Sequence, residues 1–179
     1  VAPASAGAPA ASGGPPAPRA LHVEDDVFLR KTFPKRTFAR AGIAYDQAAD
    51  GEEGLRSALA RAALSGAPYD VVVMDNQMPK MSGTEATSRL REAGYEGVVV
   101  GITGDPVGCA ERDAFEASGL DACVTKDTPG INFINEVLRE AARGGGFTRE
   151  RAARVAETHG ARCPRTPAMP AAAEGHEPW

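Results

Sequence analysis

Between residues 20 and 143, short apolar runs and amphipathic stretches alternate five times. Residues 20–23 form an apolar run that ends in acids. Residues 27–41 place Phe28, Leu29, Thr32 and Phe33 at helical spacing, with Pro34 predicting a break and Gly42 an end. Residues 43–48 read as a second strand. Asp50 and Glu53 have the spacing of a capping box for a helix reaching about residue 64. The run VVVM at 71–74 is a buried strand leading into Asp75. Ser82 and Glu85 make a second capping box, for a helix ended by Gly94, and 98–102 is a fourth strand. Asp105 and Pro106 supply an N-cap and a first-position proline for a helix ended by Gly119. Residues 122–125 are a fifth strand, and Thr128 with Pro129 opens a helix carrying Ile131, Ile134, Leu138 and Ala141 on one face. Strand–helix–strand crossovers are right-handed, so this alternation predicts a parallel sheet covered on both faces, a small doubly wound α/β domain.

Proline marks where that domain stops. Five of the 14 prolines fall in residues 1–20 and four follow residue 160. Both ends are rich in Ala, Pro and Gly, a composition that buries too little apolar surface to offset the entropy of ordering. Residues 1–19 therefore read as a linker, 20–143 as the domain, 144–160 as a glycine hinge with a possible short helix, and 161–179 as a disordered tail. The chain starts without Met and without a secretory signal, as expected of a piece of a longer polypeptide. A net charge of −4 with scattered Lys and Arg excludes a nucleic-acid surface, and no apolar run is long enough for membrane contact. Cys109, Cys123 and Cys163 lack metal or disulfide spacing and suit a reduced, cytoplasmic setting.

In an open parallel sheet, chemistry gathers outside the carboxyl ends of the strands. The first strand ends in Glu24, Asp25 and Asp26, the third in Asp75, the fourth in Thr103 and the fifth in Lys126. The second ends in alanines, as an edge strand away from the crevice would. Singly, each polar residue has a duller reading as a helix cap, a strand former or a surface charge. Together they bring several carboxylates, a hydroxyl and an ammonium to one edge. Converging carboxylates repel unless a cation offsets them, and oxygen donors suit a hard ion such as Mg²⁺.

The stretches LHVEDDVFLRK, VVVMDNQMPKMSG, VGITGD and ACVTKD resemble, in order and spacing, the response-regulator receiver family over about residues 20–143. The resemblance implies a flavodoxin-like (βα)5 sheet of order 2-1-3-4-5. It implies that Asp75 accepts a phosphoryl group from phosphohistidine on a sensor histidine kinase or histidine phosphotransfer protein. Glu24, Asp25, Asp75 and the backbone carbonyl of Gln77 would hold Mg²⁺, Lys126 would pair with a phosphoryl oxygen, and Thr103 would swing to report the new charge. Asp26 would cap the first helix. Gln77 and Asp105 would flank the approach of water. The MDNQMPKMSG stretch is most similar to receivers of hybrid sensor kinases. Such a domain catalyses its own phosphorylation and dephosphorylation and is otherwise no enzyme.

Three departures from the family pattern stand out, one of them Pro34 inside the first helix. Asp127 follows Lys126 where the family usually has proline, which predicts a trans peptide there and a carboxylate competing for the lysine. Cys123 replaces an aromatic on the fifth strand. The competing reading is a pseudo-receiver, a docking module that is not phosphorylated. A hydrolase with an aspartyl-phosphate intermediate would carry its acids together on the first strand. A flavin- or nucleotide-binding domain would need a glycine-rich turn where Glu24–Asp26 stands. His22, His159 and His176 are isolated and read as surface or packing residues.

Overall fold

A computed structural model describes residues 17–159. Five strands, β1 (Arg19–Val23), β2 (Ala44–Ala48), β3 (Val71–Asp75), β4 (Val98–Thr103) and β5 (Ala122–Thr125), form one sheet of order β2-β1-β3-β4-β5. Every pairing is parallel. Seven helices follow: α1 (Val27–Arg36), α2 (Phe38–Ala41), α3 (Gly51–Ser65), α4 (Gly83–Glu92), α5 (Ala110–Ala117), α6 (Thr128–Ala142) and α7 (Arg149–His159).

The central strand explains the layering. All five residues of β3 are buried, because its side chains alternate between two apolar cores. Val71 and Val73 pack with Phe38 of α2, with Phe133, Ile134, Val137 and Leu138 of α6, and with Ala152 and Ala156 of α7. Val72 and Met74 face the other way, toward Ala58 of α3, Leu90 of α4 and Phe115 of α5. The expected apolar face of α6 is present, with Ile131 only partly buried. Among the described residues, no helix is long and apolar enough to cross a membrane.

Pro34 lies inside α1, and the helix breaks three residues later, at Thr37. Proline cannot donate to the Arg30 carbonyl; the side-chain amide of Gln47 donates to it instead. The proline ring is buried, whereas Phe28, expected on the apolar face, is 71% exposed. His22 stacks on Phe33 with ring centroids 4.9 Å apart. Burial, with the charges of Lys126 and Arg30, pushes its pKa down to about 3, so it packs as a neutral ring. His159 is exposed and its Nδ1 donates to the Val155 carbonyl at 3.0 Å, and His176 lies outside the described residues.

Three further expectations change. Arg19, read as the end of the linker, opens β1: its amide donates to Asp70 at 2.8 Å and its guanidinium grips Asp46. Residues 1–16 of that linker, and the tail from 161, lie outside the described residues. Asp105 does not cap α5, which starts five residues on behind Cys109, with no side-chain cap. The capping boxes are half formed. Asp50 and Ser82 accept from the amides of Glu53 and Glu85, but Glu53 returns to Ala49 and Glu85 turns to Arg89. The short helix after the glycines is α7, attached through Ala152 and Ala156.

Candidate functional site

Parallel pairing aligns the strand ends. Val23 lies opposite Met74, Asp75 opposite Ile102, and Thr103 opposite Thr125. The residues that end or follow these strands therefore emerge at one edge. Glu24, Asp25 and Asp75 each offer a carboxylate oxygen, and these three atoms lie within 4.8 Å of one another. Lys126 Nζ sits 2.8 Å from Asp75 and 3.3 Å from Glu24. Glu24 and Asp75 are each 3% exposed.

Burial raises the Asp75 pKa above its ordinary value. Its bond to Lys126 opposes the shift and the charge of Asp25 adds to it. Glu24 is raised by burial and then by Asp75, against the pull of Lys126. Burial lowers Lys126, but its bonds and attraction to Asp75 and Glu24 outweigh that, and the net direction is upward. The site thus has more buried negative charge than one ammonium balances. A hard divalent cation fits such a donor set, which is carboxylate oxygen throughout.

Several residues outside the sequence prediction hold this edge in shape. Arg30 of α1 donates to the carbonyls of Glu24 (2.7 Å) and Asp25 (3.0 Å), fixing the acidic turn. Asp26, as the sequence predicts, caps α1 through the Leu29 amide at 2.7 Å. Asn76 accepts from the amide and hydroxyl of Thr84, and its carbonyl accepts from Gly83 at 2.9 Å, pinning the loop after Asp75 to α4. A Cβ on Gly83 would lie 2.1 Å from the Asp75 carbonyl oxygen, so only glycine permits this approach. Arg30 and Asn76 stand beside the acids in sequence; their bonds depend on backbone turns that no spacing rule specifies.

Thr103 is buried at the end of β4, and its hydroxyl donates to Asp105 at 2.8 Å. The side chain of Gln77, two residues past Asp75, donates to the other oxygen of Asp105 at 2.9 Å. The expected competition from Asp127 does not occur. Its carboxylate caps α6 through the Gly130 amide at 2.8 Å and accepts from the Thr125 hydroxyl. The described peptide bonds are all trans, as expected after Lys126. Cys123 is buried, and burial pushes its thiol up to about 12.

A hollow of about 590 Å³ lies at the opposite edge of the strands, beside Tyr69, Gly97 and Phe147. Three of its charged groups are engaged: Asp70 accepts from the Arg19 amide, Arg149 pairs with Asp121 and Arg61 lies over the Tyr69 ring. The converging donor set is at the carboxyl edge alone among the described residues.

The family model described as the response regulator receiver domain matches residues 20–138. Two-component response regulator 24 of Arabidopsis thaliana is 35% identical over 99 residues, covering 55% of this chain and 67% of its own length. Two-component response regulator ORR41 of Oryza sativa subsp. japonica is 37% identical over 109 residues, covering 60% and 82%. Probable histidine kinase 2 of the same subspecies is 33% identical over 118 residues, 59% of this chain but 11% of the kinase. Among solved structures, the receiver domain of the histidine kinase CKI1 from Arabidopsis thaliana, complexed with Mg²⁺ and BeF₃⁻, is similar at 28% identity. Its TM-score is 0.58, over 71% of this chain and 91% of that one. The family match ends before α7.

Proposed function

The chain belongs to the response regulator receiver domain family, and on that premise we propose that Asp75 is its phosphoacceptor. A carboxylate oxygen of Asp75 attacks phosphorus of a phosphohistidine on a sensor histidine kinase or histidine phosphotransfer protein. The P–N bond breaks, the imidazole leaves with the electron pair, and an aspartyl phosphate remains. The observation that carries this reading is the Lys126 ammonium, 2.8 Å from Asp75 within a buried carboxylate cluster.

Lys126 orients Asp75 and is close enough to meet a transferred phosphoryl oxygen. Arg30 keeps the acidic turn in place from behind. Glu24, Asp25 and Asp75, with the Gln77 backbone carbonyl as a further ligand, would hold Mg²⁺. When bound, Mg²⁺ neutralises charge on the phosphoryl oxygens. Catalysis in such a site is positioning and charge stabilisation. The new group adds about −1.5 to −2 of charge at the end of β3, which Thr103 at the end of β4 answers by turning its hydroxyl toward it. The altered surface is what a cytoplasmic partner reads. Relatives include both response regulators and histidine kinases, and the chain's place in a hybrid sensor kinase belongs to this proposal.

The docking-only reading rested on Asp127 disabling Lys126. With Asp127 engaged by Gly130 and Thr125, that ground is gone. The test is incubation with Mg²⁺ and acetyl phosphate, followed by intact mass. A Mg²⁺-dependent adduct of one phosphoryl group, absent from Asp75→Asn, is expected. A folded wild-type chain that takes no adduct returns the docking module to first place.

A further inference from the structure

Asp105 was expected at a helix start and is found in another role. α5 begins at Ala110, and the Asp105 carboxylate turns back toward the strand ends. One oxygen accepts from the Thr103 hydroxyl at 2.8 Å, and the Thr103 oxygen in turn accepts from the Asp105 amide at 3.1 Å. The other oxygen accepts from Gln77 at 2.9 Å, a bond that crosses from the loop after β4 to the loop after β3. Behind it, the buried guanidinium of Arg112 donates to the carbonyls of Asp105 (3.3 Å) and Cys123 (3.1 Å). The backbone that carries the carboxylate is thereby tied to β5.

We propose that Asp105 is a latch, a positioning residue that holds the Thr103 hydroxyl and the Gln77 amide together until Asp75 is phosphorylated. The inference rests on the reading of Asp75 as phosphoacceptor. A threonine hydroxyl has one hydrogen, and it can be donated to Asp105 or to a phosphoryl oxygen at one time. A bond to a carboxylate is stronger than a neutral one, so the unmodified domain keeps most of its Thr103 in the held state. The apparent affinity for a phosphoryl group is then reduced by the fraction in which Thr103 is free. Gln77 bonds the other oxygen of the same carboxylate, so Asp105 also ties the loop after β4 to the loop after β3.

Two measurements on the full chain test this. Without any phosphodonor, three-bond couplings report the χ1 rotamer of Thr103. One rotamer is expected in the wild type and averaging in Asp105→Ala; averaging already in the wild type overturns the latch. Beryllofluoride with Mg²⁺ is then titrated into wild type, Asp105→Ala, Thr103→Val and the double variant. Loss of the latch should tighten binding by about tenfold, and the gain should vanish when Thr103 is Val. A gain that persists with Val is the effect of a removed negative charge, and the latch is wrong. Asp105→Asn, which keeps the size and loses the charge, serves if the alanine variant does not fold, and should shift binding in the same direction by less. A wild type that ignores beryllofluoride brings down the phosphoacceptor reading and the latch with it. A wild type that binds it while Thr103 averages brings down the latch alone.

Discussion

Lys126 stands 2.8 Å from Asp75, while its neighbour Asp127 commits its carboxylate to the Gly130 amide, also at 2.8 Å. Two adjacent and opposite charges thus serve separate structures, one the acidic cluster and the other the start of α6. Asp127 is a helix cap, and its bonds to Thr125 and Gly130 hold its pKa below the ordinary carboxylate value. Asp127→Ala should lower the urea midpoint, with the slope unchanged, because a cap is lost and no core is opened. The rate of Mg²⁺-dependent adduct formation should stay within about twofold, since about 0.4 kcal/mol corresponds to that factor. A tenfold fall in that rate would mean that Asp127 does act on Lys126.

Asp75 is destabilising where it stands. Burial, with the charge of Asp25, raises its pKa against the pull of Lys126, so the folded chain holds the Asp75 proton more tightly than the unfolded chain does. That contribution favours folding below the ordinary carboxylate range and is lost as pH rises through the folded-state value. In chelator at neutral pH, Asp75→Asn should therefore melt at a higher temperature than wild type. The advantage should shrink below about pH 4 and on adding Mg²⁺. Thermal melts at several pH values, with and without the cation, measure it. Equal melting temperatures in chelator at pH 7 would contradict the charge balance drawn here.

The parallel sheet was legible because helical and strand periodicities alternate cleanly, and the alanines that end β2 marked it as an edge strand; the full order followed from the resemblance to the receiver family. The site residues were legible because parallel strands must end at one edge. What escaped the sequence depended on loops. Asp105–Pro106 has the chemistry of a helix start, yet the turn around Gly108 (φ 86°) postpones α5 and frees the carboxylate for Thr103. Pro34 correctly predicted a break, but not its position at Thr37, because Gln47 on β2 satisfies the carbonyl that the proline leaves. Arg30, Asn76 and Arg112 act on backbone carbonyls and loop amides, and such partners exist only once the chain has turned.

Gly83 is a test of the site that touches none of its side chains. A Cβ there would meet the Asp75 carbonyl oxygen at 2.1 Å and the Asn76 Cα at 3.0 Å, both backbone atoms that cannot swing aside. Gly83→Ala must separate α4 from the loop after β3, which also stretches the Gly83–Asn76 bond. The expected result is a loss of about 1–3 kcal/mol in stability, as for overpacking in a close-packed core, together with slower adduct formation at Asp75. Gly94→Ala, with a left-handed backbone (φ 76°) but nothing within 4 Å of the added Cβ, is the control. It should lose stability and keep the adduct rate. If Gly83→Ala kept that rate as well, the close approach would not be what positions Asp75.

α7 is fastened to the domain by a buried charge. Asp121, 4% exposed at the start of β5, accepts from the Val99 amide and Arg91 at 2.8 Å each, and from Arg149 of α7 at 2.5 Å. Arg91 also donates to the carbonyls of Gly119, Tyr95 and Gly97, so one carboxylate and two guanidiniums join α4, β4, β5 and α7. Asp121→Ala leaves a backbone amide without its acceptor and Arg91 buried without its counter-charge. Removing one partner of a buried pair costs about 3–5 kcal/mol, and a large fall in melting temperature should follow. Arg149→Ala removes the tie between Asp121 and α7, from a side chain 31% exposed, and should cost about 1 kcal/mol. Its signature is local: faster amide exchange across Arg149–His159, with the strands still protected. Uniform exchange across α7 and β4 in Arg149→Ala would instead make the added helix part of one cooperative core, joined by Ala152 and Ala156 more than by its charge.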